Sequence, residues 1–378
     1  LEKEKFKMKG KMIRSLAIVA VLATMVSCKP ATGTSSAAAS TGGTSSSVVT
    51  TKKEVSILIP SADHGWSGAV VTYAQEHAKT LNAEAGAKYN YVVYTSNNDE
   101  EQANKVDDLI AKKDSLAGIV INPYSNAAES SITKIANAKI PFSMFDRIIT
   151  NDTVTAAANH ISDVKGDNTS IGTVTAQKYI SLGMTSADKV LVMPGDNSSV
   201  PESRTKGFTD ALKAAGWTDA QIAANVVSTD YTGWSRDKAK ELFTSWIGGD
   251  ISGYKWIYIH DDEIFCGIFE ALAGSTIADD KKATFKANIK AINGCGGLEE
   301  MFQIMRGDHP RSSTYNNLVA SDCALMCATY DPAMINSAID DMHDYLAGKS
   351  VTKDHVIASE IIDKSNLGTK IGFGGKVQ

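Results

Sequence analysis

AGIVINPYSNAAESSITKIANAKIPFSMFDR, residues 117–147, is the stretch that decides the fold. Ala117 to Ile121 is an unbroken apolar run that stops at Asn122, just before a proline. Residues 126–138 follow a helical pattern, and Pro141 to Phe145 is a second apolar run that stops at Asp146 and Arg147. Short continuous apolar runs suit strands buried on both faces. Strand, helix and strand in this order make a right-handed βαβ unit with parallel strands.

Outward from that unit the same alternation fills the chain from residue 54. Before it the pattern predicts strand 55–60, helix 66–84, strand 89–95 and helix 99–113, and after it a short extended piece near 153–158. A second set follows: helix 168–183, strand 189–193, helix 201–215, strand 226–230, helix 235–247, strand 255–260, helix 263–273 and strand 289–293. A helix at 297–306, a strand near 318–328, a helix at 331–347 and a strand near 355–362 complete it. The expected fold class is α/β, with two similar doubly wound parallel-sheet domains joined by a multi-crossover hinge. The polar stretch Asp163–Asp167 is the expected first crossover. Residues 54–165 with 331–356 form the expected N-terminal lobe, and 166–330 with 357–378 the C-terminal lobe. At 378 residues the chain is comfortable for two domains.

Five apolar runs end in planar polar side chains. Val55 to Ile59 leads into Asp63, His64 and Trp66, Ala117 to Ile121 into Asn122, and Pro141 to Phe145 into Asp146 and Arg147. Trp256 to Ile259 leads into Asp261 and Asp262, and Ile289 to Ile292 into Asn293. In open parallel sheets ligands bind just beyond the carboxyl ends of the strands. Carboxylates and amides accept from hydroxyls, a guanidinium donates to them, and indoles cover C–H faces. The chemistry is that of a cleft for a small polyhydroxylated ligand.

Hydrophobic content of 43% and charged content of 21% are ordinary for a globular protein, and the formal net charge is -5. The first 27 residues carry an excess of four positive charges, so the remainder is more acidic still. No clustered basic footprint for nucleic acid is present. The basic stretch KFKMKGKMIR precedes an apolar run from Leu16 to Val26 and then Ser27 and Cys28, the pattern of a secretory signal peptide over residues 1–28. MVSC resembles a bacterial lipobox, with Met25 where Leu is preferred, which implies lipidation of Cys28 and a membrane anchor. Residues 29–53 are rich in Ser, Thr, Ala and Gly and are expected to serve as a flexible tether. Cys266, Cys295, Cys323 and Cys327 show no zinc-like spacing and are expected as free buried thiols.

ADHGW at 62–66, VINP at 120–123, FDR at 145–147, SRTKGF at 203–208 and IHDDEIFCGIFEAL at 259–272 resemble, in order and spacing, the type 1 periplasmic binding proteins. The ribose- and aldose-binding branch of ATP-driven sugar importers is the best match, over roughly residues 54–365. The resemblance implies non-covalent capture of a sugar, no cofactor, and delivery to an ABC transporter permease, with a chemoreceptor or sensor kinase as a further partner. Asp146 and Arg147 would grip hydroxyls. Trp66 and Trp234 would cover the two sugar faces, and Asp63 or His64 would supply a polar contact. Arg204 opens the family's RxxGF pattern, Asp261 stands for a strand-end Asn, Asn293 for a strand-end Asp, and Tyr330 for a crossover Gln. Asn122 contacts the ligand or else caps the next helix.

Other functions fit less well. Asp146, Asp261, Asp262 and Glu263 offer carboxylates for glycoside hydrolysis, but DDE at a helix start reads as a cap at its positive end. No GxSxG elbow, Walker loop or GxGxxG appears. Sugar-responsive repressors share this fold but carry a DNA-binding headpiece where this chain has its leader and tether. A nucleoside or autoinducer receptor on the same fold is the alternative that stays open.

Overall fold

The computed structural model of the protein describes residues 52–61 and 65–374. The leader with Cys28, the tether through Thr51, and Asp63 and His64 lie outside the described residues.

Twelve strands form two six-stranded sheets among these residues. β1 (Lys53–Pro60), β2 (Tyr89–Ser96), β3 (Leu116–Ile121), β4 (Phe142–Phe145), β5 (His160–Gly166) and β11 (Asp354–Ile357) build the first. β6 (Lys189–Met193), β7 (Val226–Ser228), β8 (Tyr254–Ile259), β9 (Ala291–Gly296), β10 (Ala324–Thr329) and β12 (Ile361–Ile362) build the second. The first runs β11-β5-β4-β3-β1-β2 and the second β12-β10-β9-β8-β6-β7, so the two orders repeat each other strand for strand. Every pairing in the first sheet is parallel, and in the second only β12 is antiparallel. β3 is buried at all six residues, as a strand covered by helices on both faces requires.

The chain passes between the sheets three times: after β5, after β10 through helix Met334–Leu346, and between β11 and β12. Helix Met334–Leu346 packs on β3, β4 and β5 through Ile335, Ala338, Ile339 and Met342. In the second lobe, helices Asn168–Ser181 and Ser199–Ala214 cross at two glycines. A Cβ on Gly172 would lie 2.0 Å from the Arg204 carbonyl oxygen, and one on Gly207 would lie 1.9 Å from that of Thr169. Only hydrogen fits at such backbone contact, and this contact fixes where Arg204 leaves its helix.

Several expected boundaries move. The extended piece near 153–158 is helix Asp152–Ala156, capped by Asn151. Asp163–Gly166 is not the crossover but the end of β5. Backbone pairing to β4 and β11 holds that polar stretch in the sheet, and the crossing begins after Gly166. The strand expected at 289–293 runs instead from Ala291 to Gly296, which puts Asn293 in mid-strand. The strand near 355–362 is two short strands in different sheets. Helices Asp219–Asn225, Asp279–Asn288 and Ser312–Tyr315, of seven, ten and four residues, bury at most one side chain each and so lack an apolar period to read.

Candidate functional site

The carboxyl ends of β1, β3 and β4 in one lobe face those of β8 and β9 in the other across a narrow cavity. The first lobe lines it with Trp66, Asn122, Asp146 and Arg147, and the second with Arg204, Trp234, Asp261 and Cys295. Tyr330, on the crossing after β10, closes one side.

Asp146 ends β4 in a left-handed backbone conformation, φ 63°. Its N–H still pairs with the Val164 carbonyl at 2.9 Å, so the sheet holds the turn that swings its side chain into the cavity. The Tyr330 hydroxyl donates to Asp146 Oδ1. Burial, and then the neighbouring Asp146 charge, raises the Tyr330 phenol well above its ordinary value, so it stays a donor. Arg147 donates from Nη1 to the carbonyls of Tyr124 (2.7 Å) and Pro123 (3.3 Å). Its Nε is buried and has no partner among the described residues, and the same holds for Asn122 Oδ1.

Trp66 lies in the first turn of helix Gly65–Ala83, stacked on Phe145 with 6.1 Å between ring centroids and 7° between planes. Its indole N–H donates to the Tyr330 carbonyl at 2.8 Å. Trp234 also adopts a left-handed backbone, φ 61°. Its ring lies so close over Gly195 that a Cβ there would be 2.3 Å from it. Its indole N–H donates to Asp196 at 2.8 Å, and the same carboxylate oxygen is 3.8 Å from Arg147 Nη2 of the other lobe. Burial would raise the Asp196 carboxyl, but bonds from Ser198 and Trp234 and the Arg147 charge hold it below the usual range.

Arg204 is 3% exposed. Its Nε donates to Asn168 Oδ1 at 2.8 Å and its Nη1 to the His260 carbonyl, while its guanidinium lies 4.8 Å from the Tyr330 ring centroid. Asp261 caps helix Asp262–Ala273, accepting from the Glu263 N–H at 2.8 Å. Burial, and then the Asp262 charge, pushes its carboxyl well above the ordinary value. Asp262 is not a solvated helix-start acid. It is 1% exposed and accepts from the N–H groups of Gly297 and Leu298, holding the turn after β9. Glu263 is held by Arg236 Nε at 2.6 Å.

The cavity thus gathers Trp66, Asn122, Asp146, Arg147, Arg204, Trp234, Asp261 and Tyr330. Asn293 is not among its walls. Its side chain is fully buried and donates to Thr175 Oγ1 at 2.9 Å. Because β9 extends to Gly296, the residue that reaches the cavity is Cys295, two positions further along the same strand face. Burial pushes the Cys295 thiol up to about 12, so it is a neutral, weakly polar wall. Asp196 was also missed, although β6 is followed by Pro194, Gly195 and Asp196, the same strand-end signal used elsewhere. All four cysteines within the described residues are free. Among those residues no group of His, Cys, Asp and Glu is placed to hold a metal.

No curated protein matches the chain by sequence. Solved structures do match by fold. A solute-binding protein from Actinobacillus succinogenes with bound D-allose superposes with TM-score 0.64 at 16% identity, covering 84% of this chain and all of that one. The arabinose-transporter binding protein of Shewanella sp. ANA-3 gives 0.66 at 17%, covering 84% and 94%. The Caulobacter myo-inositol binding protein gives 0.65 at 16%, covering 84% and 95%. At these identities the likeness is one of fold. The sequence profile of the periplasmic binding protein domain matches residues 55–350, most of the chain, and the protein belongs to that family.

Proposed function

We propose that this protein captures a monosaccharide or similar small polyol in the interlobe cleft, outside the cytoplasm, and hands it to an ABC importer. The observation that carries the reading is the set of buried polar atoms that meet between two indoles. Asn122 Oδ1 and Arg147 Nε have no partner among the described residues, and they stand beside Asp146, Arg204 and Asp261. A buried polar atom without a partner costs about 1–3 kcal/mol, and a ring bearing several hydroxyls supplies donors and acceptors together. Trp66 and Trp234 offer apolar faces on opposite lobes. The sugar and inositol ligands of the structural relatives agree with this chemistry.

Binding fits the site better than catalysis. The Cys295 thiol is held neutral, and the carboxylates are each committed to a hydrogen bond within the protein. The two lobes would close about the three crossings because the ligand touches both. The leader and Cys28 would anchor the protein to the membrane by lipid. Fatty-acid labelling lost in Cys28→Ala tests that part separately.

A thermal-shift screen of monosaccharides, inositols, polyols and nucleosides, followed by calorimetric titration, tests the central reading. At least one sugar or polyol should raise the melting temperature and titrate at one site per chain. A response to nucleosides alone, or to nothing in the set, would overturn it.

A further inference from the structure

Directly behind the cleft wall, the second lobe buries a group of polar side chains that the cleft does not use. His260 and Tyr258 lie on one face of β8 and its continuation, with ring centroids 4.7 Å apart. Asn293 is the partner of Tyr258 across the β8–β9 ladder. All three are fully buried. Tyr258 Oη, both His260 ring nitrogens and Asn293 Oδ1 have no hydrogen-bond partner among the described residues. Phe208 stacks on Tyr258 at 4.9 Å and Thr175 holds the Asn293 amide, so the crossed helices roof the group. Arg204, whose Nη1 bonds the His260 carbonyl, stands between it and the cleft, with Cys295 two residues from Asn293.

The chemistry of this set is complementary. Burial, and then the Arg204 charge, holds the His260 imidazole well below its ordinary value, so it is neutral, with one N–H donor and one acceptor nitrogen. Tyr258 adds a hydroxyl donor, because burial keeps the phenol protonated. Asn293 Oδ1 adds an acceptor. Two donors and two acceptors match what water offers, and buried polar groups of this kind are satisfied by ordered water. The two imidazole nitrogens point apart, so a single molecule does not serve both.

We propose that Tyr258, His260 and Asn293 form an enclosed site for at least two ordered water molecules, and that these waters position Arg204 for the ligand. The inference rests on the cleft being the ligand site. It assigns the three residues as positioning residues, acting through the waters and Arg204 on affinity. It also gives Asn293 an indirect part in recognition where a direct contact was expected.

The test is a high-resolution crystal structure of the wild type with the ligand from the screen, together with titration of Tyr258→Phe and Asn293→Leu. The wild type should show at least two waters behind Arg204, each bonded to two or more of the three side chains. Tyr258→Phe, which removes a single oxygen, should lose one water and weaken binding about tenfold, with a smaller loss in Asn293→Leu if that variant folds. A dry compartment, or waters present while Tyr258→Phe binds as the wild type does, would overturn the proposal. If the screen finds no ligand, the wild-type structure alone still decides whether the waters are there. A failure of the sugar reading is thereby separable from a failure of this one.

Discussion

The two lobes repeat one strand order, yet their cleft walls are finished differently. On the first lobe, Asn122 Oδ1 and Arg147 Nε are buried without partners among the described residues. On the second, Arg204 is held by Asn168 and the His260 carbonyl, Asp261 by a helix N–H and Trp234 by Asp196. The first wall keeps these atoms free for what it binds, and the second is braced throughout by its own lobe. Substitutions on the first wall should therefore act on binding more than on the fold. On the second they should disturb binding and the fold together.

The largest effect should come from the first wall. Asp146→Ala and Arg147→Ala each remove charged hydrogen bonds worth about 1.5–3 kcal/mol, and each should weaken binding about ten- to a hundredfold or more. The ligand-free melting temperature should fall only modestly, through the lost bonds to Tyr330 and to the Tyr124 carbonyl. Calorimetry at wild-type affinity in both variants would break the contrast between the walls.

The tryptophans sharpen it. Each indole offers roughly 1–3 kcal/mol of buried apolar contact, but Trp66 also donates across the cleft to the Tyr330 carbonyl. Trp66→Ala should therefore cost more affinity than Trp234→Ala. Trp234→Ala should also lower the melting temperature, because it uncovers Gly195 and frees Asp196. Equal losses in both measures would mean that the walls are not built differently.

A smaller effect tests the bracing itself. Gly207→Ala drives a methyl group into the Thr169 carbonyl and should cost about 1–3 kcal/mol of stability by urea denaturation. Affinity should fall with it, because Arg204 leaves the same helix. Lost stability with intact affinity would separate the helix crossing from the site.

The smallest effect is a pH slope. Burial raises the Asp262 carboxyl to about 6 from 3.8. A raised carboxyl contributes most stability below its unfolded value, and that contribution declines as the pH climbs to the folded one. Relative to Asp262→Asn, the wild type should lose stability between pH 4 and 6, on the order of 1 kcal/mol per pH unit. His260, of opposite sign, remains in the variant, but Asp262→Asn also removes the charge that raises Asp261, so the difference reports the coupled pair. Parallel curves for the two proteins would rule this out.

The strand ends were legible because a buried parallel strand must be apolar and its polar terminus stands out. Asn122, Asp146, Arg147 and Asp261 stand out in that way, and all four line the cavity. Asn293 failed for a physical reason: Gly294, Cys295 and Gly296 continue β9 without any apolar signal, since glycine in a strand leaves no side chain to read. The true edge residue lay two positions on. Asp196 stands just after β6, beyond a proline and a glycine, and the strand-end signal was not followed that far. The partners that tie the second wall, Asn168 to Arg204 or Asp196 to Trp234, join residues 36 and 38 apart and become neighbours only through the fold.

Asp146 and Trp234 share a further property: each bends through a left-handed backbone conformation that glycine adopts at no steric cost. Most non-glycine replacements at either position keep the strain and lose the side chain that faces the cleft. A saturation library aimed at a new ligand preference should therefore leave codons 146 and 234 unvaried.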